Sequence, residues 1–235
     1  MAGKLLFFAQ RSPTLTREEF QRVYLSEHAR GPLDHFPALR RYVVDVVDPD
    51  WKAKIEHPLA ATDAVGEMWF EEVGDFLDRA RRYDSAESAV AMQEESARIF
   101  GDIYAYHVEP GIQRDYQRDW PDGERSPGVK MVYPVQRAPD ITHEQFAKHW
   151  VEKHVPIVLR YMNGISRYVT NNVIRRIGPG PEVDGFVELH YMDPAAMEGP
   201  RYNAPEADAI MAADVAQFIV PTGLALRCSE YILRS

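Results

Sequence analysis

The chain has 235 residues, 45% of them hydrophobic, and a formal net charge of −9. That length suits one or two domains with a sizeable core, and the acidic balance argues against a general binder of nucleic acid or of an anionic membrane, which needs a basic face. No apolar run approaches the roughly eighteen residues of a membrane span. The N-terminal stretch Leu5–Ala9 is too short for a secretory signal, and Cys228 is the single cysteine, so no intrachain disulfide forms; a reducing cytoplasm is the expected location.

In chain order, the apolar run from Leu5 to Ala9 predicts a buried strand, and Ser12-Pro13 a turn. Thr16 to Glu19 has capping-box spacing, and Phe20, Val23, Tyr24 and His28 continue at the helical period on one face. Gly31-Pro32 is expected to end that helix. Arg41 to Val47 and Val65 to Phe70 read as strands, Asp75 to Ile99 as helix with a break near Asp84, and Ile103 to Val108 as a strand. Pro110 to Gly128, rich in Pro, Gly and charge, reads as a connector. The order then recurs: a strand from Val129 to Val135, a capping box at Thr142 to Gln145, a helix carrying Phe146, His149, Trp150 and His154, strands at Arg167–Ile174 and Phe186–Tyr191, a helix over Pro205–Phe218 and a strand over Leu224–Leu233. Pro134 lacks a ladder donor and predicts an irregularity or bulge in its strand.

The recurrence is also one of residues. With an offset of 126, Gln10 to Val43 falls on Gln136 to Val169 without a gap, and 11 of 34 positions are identical, where composition alone gives roughly two. Each half therefore reads β-α-β-β-α-β, the ferredoxin-like arrangement, with one unit over residues 1–110, a linker over 111–128 and a second unit over 129–235. A four-stranded sheet with helices on one face leaves its other face bare, so the fold expected is α+β, with two such sheets facing each other within one chain.

Glu18, Phe20, Tyr24, His28, Arg41 and Tyr42, and again Glu144, Phe146, Trp150, His154, Arg167 and Tyr168, form a signature that resembles the EthD-like family of dimeric α+β barrel proteins, here as a tandem pair. The resemblance implies an intrachain dimeric α+β barrel with a pocket between sheet and helices in each half. It implies no single reaction: relatives on this barrel include dehydratases, isomerases, cofactor-free oxygenases and haem enzymes. The His-x-Pro typical of the family stands intact at His154-Val155-Pro156, whereas the first half reads His28-Ala29-Arg30, so the two pockets need not be equivalent.

Glu67 and Trp69, and in the second half Glu188 and His190, are two apart and share a strand face. If that face meets the first helix, His154, Glu188, His190 and Trp150 converge. A His near its ordinary pKa suits general acid/base work, and Tyr24, Tyr42, Trp69, Trp150 and Tyr168 supply walls for a flat apolar substrate, with Glu67 beside them. His28 and His154 also stand near helix C-termini, where an imidazolium favours the dipole, and aromatics at helical spacing also build cores. Arg11, Arg137, Arg41 and Arg167 recur and are expected to pair with Glu18 and Glu144. No phosphate loop, dinucleotide fingerprint, serine elbow or closed metal spacing occurs.

The expected function is a cofactor-independent enzyme, a dehydratase or isomerase of small-molecule catabolism or tailoring. It acts by proton transfer on a small apolar carbonyl or hydroxyl compound, with His154 and His28 as acid/base and His190 and Glu188 assisting. No metal, nucleic acid or membrane partner is expected, and the pseudo-dimer is free to associate further. The alternatives are a non-catalytic carrier of a hydrophobic small molecule and a haem or oxygen-using enzyme.

Overall fold

The computed structural model describes residues 3–51 and 55–235. In the first half, β1 (Gly3–Arg11) leads into helix α1 (Arg17–Val23), a π-helical turn (Tyr24–His28) and α2 (Arg30–His35). Strands β2 (Leu39–Val47) and β3 (Ala64–Phe70) follow, then the short helices α3 (Gly74–Leu77) and α4 (Arg79–Arg82), the longer α5 (Ala86–Ile99) and β4 (Phe100–Arg114). The second half runs β5 (Val129–Arg137), α6 (His143–His149), a π-helical turn (Trp150–His154), α7 (Val155–Tyr161), β6 (Arg167–Ile177) and β7 (Gly185–Tyr191). It ends with α8 (Pro194–Glu198), α9 (Ala207–Phe218), the two-residue β8 (Ile219–Val220) and β9 (Leu226–Arg234).

Eight strands close into an antiparallel barrel in the order β7-β6-β4-β1-β3-β2-β9-β5 and back to β7, with β8 flanking β5. Within each half the order is fourth, first, third, second strand. The halves join along β4–β6 and β2–β9. Among the described residues no helix is long and apolar enough to cross a membrane.

Strand alternation divides the core into three parts. Leu5, Tyr42, Val44, Met68 and Phe70 face the first-half helices and pack with Phe20, Tyr24 and Met92. Met131, Tyr168, Leu189 and Tyr191 face the second-half helices and pack with Phe146, Trp150, Met211 and Phe218. Leu6, Phe8, Val65, Tyr106, Val132, Phe186 and Cys228 point into the barrel, where Phe8 stacks on Phe186 at 4.6 Å.

Both capping boxes form: Thr16 and Glu19, and Thr142 and Gln145, satisfy each other's orphan N–H groups. Several expectations are corrected. Gly31-Pro32 does not end the first helix, which runs to His35. The π-helical turn restarts the chain at Ala29, so Pro32 stands in a new first turn, where a missing N–H costs little. Pro134 makes no bulge: it pairs regularly with Phe186 in β7. On its other side β5 meets β9 at Lys130–Val132 and β8 at Gln136–Arg137, so Pro134 lies in the gap where no ladder donor is needed. Residues 110–114 belong to β4 rather than to a connector, held by β6 from Ala105 to Arg114. Arg11 and Arg137 pair with Asp63 at 2.9 Å and Asp184 at 3.0 Å, not with the helix glutamates.

Candidate active site

In each half a cavity opens between the sheet and the helices, and the π-helical turn carries a histidine into it. Such turns concentrate at functional sites because the extra residue widens the helix and re-aims a side chain. The second-half cavity measures about 420 Å³ and is lined mainly by apolar and aromatic groups, among them Met131, Tyr133, Tyr168, Leu189 and Met211, together with His154 and Arg201. That volume suits a drug-sized ligand.

His154 is 8% exposed, and its Nδ1 lies 2.7 Å from Asp214 Oδ2. The second carboxylate oxygen takes His149 Nε2 at 2.8 Å, and Phe218 packs against both rings. With Asp214 accepting from Nδ1, Nε2 is the nitrogen left for the cavity. Burial pushes the His154 pKa down while Asp214 draws it back up, and the net shift is downward, so the ring is neutral at pH 7. Trp150 Nε1 donates to the Tyr168 hydroxyl at 3.1 Å, fixing the wall beside it.

The first half repeats this with changes. His28 Nδ1 lies 3.3 Å from Glu95, and burial again lowers its pKa. Backbone bonds from Ser12 to Ile99 and from Ala138 to Phe218 put Glu95 and Asp214 at matched places on α5 and α9. The cavity, with Tyr24, His28, Met68, Met92, Phe100 and Arg82 in its wall, measures only about 210 Å³. His149 has no counterpart, because Val23 occupies that place.

Glu67, Trp69, Glu188 and His190 do not join either histidine. They point into the barrel, on the far side of the sheet, because the helix-facing residues of β3 and β7 are Gly66, Met68, Val187 and Leu189. Tyr24 and Tyr168 do line cavities, whereas Tyr42 and Trp150 stand buried behind the walls.

Inside the barrel Glu67, Glu188 and His190 belong to an ionic cluster, and Lys4 of that cluster lies over the Trp69 ring. Lys4 Nζ lies 2.6 Å from Glu67 and 2.5 Å from Glu188. Lys130 Nζ meets Asp45 at 2.8 Å, Glu188 at 3.1 Å and Glu230 at 3.2 Å, and also contacts Glu67. Arg167 lies 3.9 Å from Glu230, and His190 donates through Nε2 to the Pro127 carbonyl oxygen at 2.7 Å. Both lysines and all four carboxylates are at most 3% exposed. Burial pushes the Asp45 carboxyl far above its ordinary range, whereas the cations of the cluster hold Glu67, Glu188 and Glu230 below theirs. Asp45, Glu67 and Glu230 could together ligate a cation, but the Lys130 ammonium fills the place between them. Lys130 stands 126 positions after Lys4, and Asn171 126 after Asp45, so the repeat offset carried the signal for this cluster.

A haem would need an axial nitrogen and cations for two propionates. His154 offers the nitrogen, but among the described residues Arg201 is the one cation in the cavity wall, so the described lining fits that group poorly.

No curated protein matches the chain in sequence. Among solved structures, an anthrone oxidase-like protein superposes with a TM-score of 0.62 at 11% identity, covering 100% of this chain and 94% of that one. A candidate monooxygenase from Lactobacillus acidophilus NCFM gives 0.56 at 13%, covering 99% and 97%. One from Fusobacterium nucleatum subsp. nucleatum ATCC 25586 gives 0.55 at 10%, covering 99% and 92%. At these identities the likeness is one of fold. Residues 138–222, which contain His149, His154, Tyr168 and Asp214, match the EthD domain family.

Proposed function

We propose that the second-half cavity is the active site of an enzyme that moves a proton on a flat, apolar compound bearing a carbonyl or hydroxyl group. The observation that carries this reading is His154, neutral and braced at Nδ1 by Asp214, in the wall of an otherwise apolar cavity. Its Nε2 takes a proton from the carbon next to a carbonyl. Asp214 stabilises the imidazolium that results, and Arg201 faces the oxygen on which negative charge develops. Return of the proton to another carbon completes an isomerisation; its delivery to a departing hydroxide completes a dehydration. Both outcomes use groups of this chain alone and need no cofactor. The EthD match over 138–222 and solved neighbours described as oxidase-like and monooxygenase proteins support an enzyme on this barrel.

The reading includes the chain's organisation. The matched capping boxes, π-helical turns, His–carboxylate pairs and buried lysines support two tandem EthD-like, ferredoxin-like units as a pseudo-dimer inside one chain, the first running on through β4 to Arg114 and the second over 129–235.

The test is solvent exchange. In D2O, a panel of aromatic ketones and β-hydroxyketones is followed by NMR for deuterium entering next to the carbonyl. A compound turned over by the wild type should exchange 10²–10⁴-fold more slowly with His154→Ala. Saturable binding without exchange, identical in the two proteins, would identify a carrier instead. A Soret band in the purified protein would favour the haem reading.

A further inference from the structure

The first-half cavity differs from its counterpart in two respects that bear on what it holds. It is half the size, about 210 Å³ against 420 Å³. A cavity of roughly 150 Å³ accommodates a benzene ring, so this one has space for a single ring and a small substituent. Its wall is unusually aromatic and soft: Tyr24, Phe76 and Phe100 with the thioethers of Met68 and Met92. These groups favour a π-face.

The second respect is charge. Arg82 lines the cavity, yet among the described residues its guanidinium has no carboxylate partner. The neighbouring acids are engaged elsewhere: Glu72 and Asp75 pair with Arg81, and Asp78 caps α4 through Ala80. The Arg82 guanidinium is nevertheless held in place, 3.9 Å above the Phe76 ring and bonded through Nε to the Phe76 carbonyl. A half-buried, fixed and unpaired guanidinium beside an aromatic cavity is built for a planar anion, which it grips through two parallel N–H donors.

We infer that the first-half cavity is a second ligand site, specific for a one-ring aromatic carboxylate whose ring lies among Tyr24, Met68, Phe76, Met92 and Phe100 and whose carboxylate pairs with Arg82. This does not depend on the chemistry assigned to His154: the site lies in the other half, its size excludes a larger substrate, and it binds whether or not the second half turns a compound over.

The test uses the full chain with 13C-methyl-labelled methionine and benzoate as the probe, with benzyl alcohol as its uncharged counterpart. Met68 and Met92 report on the first cavity, Met131, Met197 and Met211 on the second. Benzoate should shift the Met68 and Met92 methyl signals saturably and more tightly than benzyl alcohol. Arg82→Gln should weaken benzoate about tenfold or more and leave benzyl alcohol within about twofold, since a hydrogen bond to a charged group is what is lost. Arg82 sits at the cavity edge rather than in the core, so dispersed methyl signals will certify the fold of the variant. The inference is overturned if Met68 and Met92 do not move, if only the second-half methionines move, if benzyl alcohol binds as tightly as benzoate, or if Arg82→Gln binds benzoate as the wild type does. Loss of exchange activity in His154→Ala alters none of these readouts.

Discussion

Replacing Lys130 by Met tests whether the cluster inside the barrel holds the two halves together. Lys130 comes from β5, while Asp45 and Glu67 come from β2 and β3, so its ion pairs bridge the halves. Without the ammonium, Glu67 and Glu188 keep Lys4, and Glu230 keeps Ser126 at 2.8 Å and Tyr116 at 3.0 Å. Three carboxylates that remain ionised would then share Lys4 and the more distant Arg167. Removing one partner of a buried pair costs about 3–5 kcal/mol, a large part of a domain's stability of about 5–15 kcal/mol. The pH dependence has a definite sign. In the wild type burial pushes Glu230 up, but Lys130 together with His190, Arg167 and the Ser126 hydroxyl outweighs it and holds the group at about 2, below its ordinary 4.5, and Glu67 is lowered likewise. Their contribution is complete above about pH 4.5 and is lost as pH falls toward the folded values. In the variant the same carboxylates are buried without their cation, so their folded pKa values rise, and the destabilisation is greatest at high pH. Urea unfolding at about pH 7 and pH 5 should therefore give a deficit of about 3–5 kcal/mol that narrows at the lower pH. A deficit under about 1 kcal/mol, or one that is the same at both pH values or grows on acidification, would refute the assignment.

Asp45→Asn should be neutral or stabilising, and most favourable near pH 8. Burial raises the Asp45 pKa, so its contribution is lost as pH rises, and Asn171 already fills the matching place in the other half; a loss above about 1 kcal/mol in urea unfolding at pH 8 would contradict this. His154→Ala should cut turnover by 10²–10⁴-fold while shifting the unfolding midpoint little, a split that parallel kinetics and denaturation would reveal. Asp214→Asn removes the group that draws the His154 pKa upward, so the acid limb of the rate profile should move to lower pH and the rate should fall about tenfold or more; an unmoved limb would separate the pair. Because burial holds His154 below its ordinary 6.5, its neutral form stabilises the fold above that pH and the benefit is lost on acidification. His154→Ala should consequently soften the stability loss between about pH 6.5 and 5.

The first-half cavity and the second differ through few residues. His154 gains a second histidine on its carboxylate, since His149 replaces Val23. His28 meets Glu95 at 3.3 Å where His154 meets Asp214 at 2.7 Å, so the longer side chain on α5 makes the looser brace. Packing accounts for part of the size difference: Met92 lies against Gly31, so closely that a side chain at position 31 would displace it. Tighter packing around a looser brace favours retention of a small ligand, and the wider cavity with the short brace favours proton transfer.

Periodicity and caps in the sequence determined the elements and their order. The continuous apolar run from Leu5 to Ala9 marks β1, and Thr16 and Thr142 open their helices as their spacing requires. These are local properties, set by which residues lie within a few positions of one another. His28 and His154 were visible for the same reason, as recurrences at a fixed offset. Their carboxylate partners were not: Glu95 and Asp214 are 119 positions apart rather than 126, because the segments between β2 and the last helix of each half differ in length. Which face of β7 carried Glu188 and His190 was equally beyond local reading, since alternation groups residues by face without saying what each face meets. Closure of the barrel decided that. It buried both glutamates opposite Lys4 and Lys130 and left the cavities to the other face, where helices supply the histidines.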